Sequence, residues 1–101
     1  MDVNEVIRNY ISDVKRIMPI DKVILFGSYA KGTATKYSDV DLCFFSQSVE
    51  ERSQFEVLKD LFALGGNYPA VCIEPHAYPT SIIEEDRPFI REILRTGIEI
   101  Q

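Results

Sequence analysis

Two carboxylates spaced i and i+2 on an apolar strand constrain this chain more than any other feature. The run reads Val23-Ile24-Leu25-Phe26-Gly27-Ser28, then ten variable residues, then Asp39-Val40-Asp41-Leu42-Cys43-Phe44-Phe45. Side chains alternate along a strand, so Asp39 and Asp41 point to the same side. Two negative charges so placed repel each other, and a divalent cation between them relieves the repulsion. Mg²⁺ suits the place because it takes hard oxygen ligands and completes its shell with substrate phosphate oxygens. Gly27 has no Cβ, so the turn can bring backbone N–H groups close to a phosphate. The bland readings are a solvated strand face for the aspartates and a simple tight turn for Gly27-Ser28. The flanking Val40, Leu42, Phe44 and Phe45 argue for a central strand, where paired inward carboxylates need a cation. Together the turn and the pair point to chemistry on a nucleoside triphosphate.

Length and charge narrow the partners. A chain of 101 residues is one domain (1–101), enough for a single modest core. Its net charge of −5 gives no overall attraction for nucleic acid, which needs a basic track for its phosphates. No apolar run is long enough to span a membrane, and the acidic, polar start is wrong for a secretory signal. Cys43 and Cys72 lack metal-type spacing and fit a reducing, cytoplasmic setting.

Periodicity lays out the elements. Val3, Val6, Ile7, Ile11, Val14, Ile17 and Met18 form a helical stripe over residues 2–18, ended by Pro19. Residues 22–26 and 39–46 read as strands, with a short helix from 28 to 31 whose N-terminus faces the phosphate turn. Residues 50–64 read as a helix through Phe55, Leu58, Leu61 and Phe62, closed by Gly65-Gly66-Asn67. Residues 70–74 form a third strand stopped by Pro75. Residues 80–96 are helical in two pieces, with Pro88 near the start of the second. Gly97 stops that helix and residues 98–100 add a short edge strand. The expected fold is α+β, a small mixed sheet with helices packed on one face.

The motif residues resemble the nucleotidyltransferase superfamily that includes DNA polymerase β and kanamycin nucleotidyltransferase. Phe26-Gly27-Ser28 and Asp39-Val40-Asp41-Leu42 match its signature position by position. Ala30, Lys31, Gly32, Lys36 and Ser38 match the minimal nucleotidyltransferase branch, in its MntA-type antitoxin form. The resemblance implies the polymerase β-like fold and a third carboxylate that joins Asp39 and Asp41 in holding two Mg²⁺ ions. Glu74 is the candidate, a departure from the usual Asp and perhaps in register; a solvent-facing strand end is its competing reading. It also implies ATP as substrate, with Gly27 and Ser28 on its phosphates. Lys31 and Lys36 either touch those phosphates or are solvated, and Ser38 either orients Asp39 or is a plain turn serine.

Function follows in the same register. The resemblance implies a protein adenylyltransferase that moves AMP from ATP to a tyrosine of a helical HEPN toxin, acting as its antitoxin. A module that neutralises a partner by contact alone, and an antibiotic-type enzyme acting on a small hydroxylated molecule, are the alternatives. So small a motif-bearing core is expected to draw on a partner for its acceptor, and self-association stays open. His76 is expected at the surface or behind the site rather than in catalysis. Cys43 is expected as a core thiol, and the Glu84-Glu85-Asp86 cluster as a solvated turn.

Overall fold

A computed structural model describes residues 2–100. Helix α1, Val3–Ile17, starts where the Asp2 carboxylate accepts the Asn4 N–H, and ends at extended Met18 before Pro19. Its buried residues Val6, Ile7, Tyr10, Ile11 and Val14 recur at helical spacing and lie against the sheet. The sheet has four strands in the order β3-β2-β1-β4: β1 Lys22–Phe26, β2 Val40–Phe45, β3 Ile73–Tyr78 and β4 Ile98–Ile100. β1 is antiparallel to β2 and β4, while β2 and β3 run parallel. The one-turn helix α2, Ser28–Lys31, follows β1.

Three expectations are corrected here. The helix expected over 50–64 is two helices, α3 Ser48–Glu51 and α4 Gln54–Gly65. The Ser53 hydroxyl accepts the Glu56 N–H at 3.1 Å and starts α4 anew, as a Ser-x-x-Glu box does. That phase buries Val57 and Leu61 and leaves Phe55 and Phe62 exposed, so the expected stripe is displaced. The third strand does not stop at Pro75 but runs through it to Tyr78. β3 is an edge strand, where a residue without an N–H is tolerated because one side of the ladder is open. Ile73, Pro75 and Ala77 are buried on one face, and Glu74, His76 and Tyr78 stand on the other.

Helices α1 and α4 cover the first face, as expected, over Val23, Leu25, Val40, Leu42 and Phe44. The other face is covered in part as well. A 3-10 turn, Thr80–Glu84, and helix α5, Pro88–Thr96, bring Ile82, Ile90 and Ile93 onto Ile24, Cys43 and Phe45. Pro88 opens α5 in its first turn, where its missing N–H costs nothing. Gly97 lets the chain leave α5 tightly: a Cβ there would fall onto the Ile24 side chain and lie 2.6 Å from the Ile93 carbonyl oxygen. Among the described residues no helix is long and apolar enough to cross a membrane.

Candidate active site

The uncovered end of that second face carries the motif residues. Strand register sets them in a row: Asp41 lies opposite Phe26 of β1 on one side and Glu74 of β3 on the other. Glu74 is thus near the start of its strand, not at its end, and still comes beside Asp41. Asp39 stands just before β2, where the Val40 N–H donates to the Cys72 carbonyl at 2.8 Å and carries the ladder past the strand's first residue.

The glycine turn closes over this row. Gly27 has φ 75° and ψ −153°, a conformation that side chains strongly disfavour. A Cβ on Gly27 would fall onto Asp41 Oδ2, so the position demands glycine twice over. The amides of Ala30 and Lys31 both donate to the Gly27 carbonyl at 3.1 Å. This leaves Ser28 and Tyr29 as first-turn amides, which a helix does not pair internally. Gly32, at φ 75°, ends α2 and turns the chain into the loop before Asp39.

The electrostatics record the crowding. The Glu74 carboxyl is pushed up, first by hydrogen bonding to Asp39, then by partial burial and the charges of Asp39 and Asp41. Asp41 is pushed up chiefly by burial and further by Asp39. His76 pulls both back toward the ionised form. The exposed Cys72 thiol is raised by its hydrogen bond with Asp39. Asp39 thus bears on both of its neighbours, and the three carboxyls lie together as an all-oxygen cluster. Among the described residues no three His, Cys, Asp or Glu side chains are so placed that they alone could hold a metal ion.

The other predicted residues sit farther from the row. Ser38 is engaged in its own turn: its Oγ accepts the Thr35 N–H at 2.8 Å and its N–H donates to the Thr35 carbonyl at 3.1 Å. Lys31 is exposed at the end of α2. Lys36 lies over the Tyr37 ring, 5.1 Å from its centre. Cys43 is a core thiol as expected, but burial alone pushes it up to about 12. His76 is half-buried on the Glu74 face of β3. It pairs with Cys43 one row beyond Glu74, with its ring 5.2 Å from Phe26 and 6.1 Å from Phe89. The only signal for it was parity with Glu74 along β3.

A mixed α+β sheet that sets a glycine turn against a row of carboxylates defines a nucleotidyl-transfer domain. The chain belongs to the nucleotidyltransferase domain family, whose pattern it matches over residues 7–95, and it is a nucleotidyltransferase enzyme. It is similar to two proteins of Methanocaldococcus jannaschii. It is 33% identical to "putative protein adenylyltransferase MJ1305" over 97% of this chain and 70% of that protein. It is 30% identical to the similarly named MJ0141 over 99% of this chain and the whole of that protein. A crystal structure of a toxin-antitoxin with AMP-PNP shares the fold, with TM-score 0.56 and 17% identity over 90% of this chain and 69% of the other.

Proposed function

We propose that this enzyme transfers AMP from ATP to a tyrosine of a partner protein, a helical HEPN-type toxin, and so acts as an antitoxin. The observation that carries the proposal is that the Gly27 turn comes so near Asp41 that a Cβ would fall onto its carboxylate, in a row that also holds Glu74. That proximity supports reading the turn as the phosphate side and the carboxylates as the oxygen donors of one nucleotide site. The similarity to the two Methanocaldococcus proteins supports a protein acceptor. The shared fold with a toxin-antitoxin bound to AMP-PNP supports the partner and the nucleotide.

The chain's own groups divide the work. The turn at Gly27 and Ser28, with the first-turn amide of Ser28, binds the β- and γ-phosphates and draws charge toward the leaving group. Asp39, Asp41 and Glu74 present their oxygens toward the α-phosphate. Two Mg²⁺ ions held by these three carboxylates would lower the pKa of the acceptor hydroxyl and stabilise the departing pyrophosphate. The acceptor oxygen bonds to the α-phosphorus, the bond to the bridging oxygen of pyrophosphate breaks with its electron pair, and the phenolic proton passes to water. Positioning and electrostatics supply the acceleration, with no covalent step on the protein.

Incubation with a co-encoded helical toxin, ATP and Mg²⁺ tests this by intact-mass spectrometry. The toxin should gain one or more AMP groups on tyrosine, and Asp39→Asn should prevent the gain. A toxin that stays unmodified yet is inhibited in a stable complex would replace enzymatic silencing with neutralisation by contact.

A further inference from the structure

The row of carboxylates has two neighbours on its face. On one side is the Gly27 turn. On the other lies a shelf of aromatic rings that begins with Phe26, opposite Asp41, and continues to His76, one row along the strands. His76 follows Glu74 by two residues on β3, about 6.6 Å at ~3.3 Å per residue. Phe26 lies opposite Asp41, and its ring reaches across the sheet to the His76 ring at 5.2 Å. Phe89, from the first turn of α5, lies 6.0 Å from Phe26, 6.1 Å from His76 and 6.3 Å from Tyr78. Three rings anchor it, yet it stays 46% exposed. An apolar ring held in place and left open beside polar chemistry is prepared to receive another ring.

We infer that Phe26, His76 and Phe89 form the acceptor shelf, which holds the tyrosine ring while its hydroxyl reaches the carboxylate row. The inference rests on the adenylyl-transfer reading above and adds the residues that choose an aromatic acceptor over an aliphatic one. Displacement at phosphorus is in line, so the entering oxygen approaches opposite the departing pyrophosphate. The turn takes the pyrophosphate side, which leaves the shelf side for the acceptor. In tyrosine the ring stands directly behind the hydroxyl. A hydroxyl at the carboxylate row therefore sets its ring over the next row, where these rings can stack on it. A serine hydroxyl carries nothing to place there. Phe89 and His76 are positioning residues in this scheme.

The test uses N-acetyl-tyrosinamide and N-acetyl-serinamide as acceptor probes on the intact chain. With Mg²⁺ and a non-hydrolysable ATP analogue bound, the tyrosine probe should shift the ring signals of Phe89 and His76 saturably in NMR spectra. The serine probe should not, and Phe89→Ala should abolish the effect while circular dichroism shows an unchanged fold. In transfer assays at saturating ATP, Phe89→Ala should raise KM for the tyrosine probe about tenfold with little change in kcat, as loss of one ring contact would. Phe89→Trp should restore it and Phe89→Leu should not. Absence of shelf shifts overturns the inference whether or not transfer occurs. A raised KM for ATP instead would mean the nucleobase sits there, which also overturns it. Shelf shifts without transfer to any acceptor would overturn adenylyl transfer and leave the shelf as a ring-binding site.

Discussion

On the α1 and α4 side of the sheet, β2 contributes Val40, Leu42 and Phe44, all fully buried. On the other side the same strand contributes half-exposed Asp41, then Cys43 and Phe45 beneath the 3-10 turn and α5. One strand thus serves two environments through its two-residue alternation. The first face removes large apolar groups from water and adds a buried hydrogen bond, 2.8 Å from the Tyr10 hydroxyl to the Leu61 carbonyl. The second leaves its motif end uncovered and crowds like charges there, which costs stability in the absence of a cation. On this strand Asp41, proposed to serve the nucleotide, stands between the core residues Val40 and Leu42, so single substitutions can separate the two roles.

The largest effect is expected on the first face. Phe44→Ala should lose about 3–5 kcal/mol of stability through lost burial and the cavity left behind. A urea titration reads this, and transfer per folded molecule should stay near wild type. Next in size is the opposite face. Asp41→Asn should cut transfer by roughly 10³-fold, about 4 kcal/mol at 1.36 kcal/mol per tenfold. Its unfolding midpoint should hold or rise, since a crowded carboxylate is gone. ATP affinity should depend on Mg²⁺ in wild type and lose that dependence in the variant. If Asp41→Asn unfolded the protein while leaving turnover per folded molecule intact, the division between the faces would collapse.

Gly27 sits where the two roles meet. Gly27→Ala should lose about 1–2 kcal/mol from the positive φ alone. It should also lose triphosphate binding, because the new methyl falls onto the Asp41 carboxylate. Isothermal titration with ATP and Mg²⁺, set beside thermal unfolding, distinguishes the losses. A stability loss with unchanged nucleotide affinity would make Gly27 purely structural.

What could be read in advance was local. Gly27, Asp39 and Asp41 follow from two-residue alternation around a turn. Glu74 was legible as a residue type but misplaced in its strand. Pro75 reads as a stop until β3 is known to be an edge, and being an edge is a property of strand order. The phase of α4 turned on the cap at Ser53, which a stripe of Phe55, Leu58, Leu61 and Phe62 outvoted. The aromatic shelf was out of reach. It needs the parallel register that sets His76 against Cys43, and the return of α5 that brings Phe89 over both. Short-range patterns are written in neighbouring residues, whereas long-range register is decided by the packing of the whole sheet.

The smallest effect is also the most direct measure of the crowding. Glu74 is raised above the ordinary glutamate range, first by hydrogen bonding to Asp39. A carboxyl whose folded pKa is raised contributes stability that is fully present below its unfolded pKa. That contribution is lost as pH rises through the folded value, because the folded state is then forced to carry a charge it disfavours. Glu74→Gln stays neutral throughout. The metal-free variant and wild type should therefore unfold at similar temperatures near pH 4, and the variant should pull ahead as pH climbs toward 7. Glu74 is partly exposed and solvent screens it, so the gain should stay below about 1 kcal/mol, a few degrees at ~4–8 °C per kcal/mol. Mg²⁺ with ATP should reverse the order at pH 7 by stabilising wild type alone. A wild type that is already the more stable at pH 7 without metal would mean Glu74 has found a positive partner. The row would then not be the strained, cation-seeking half of the comparison.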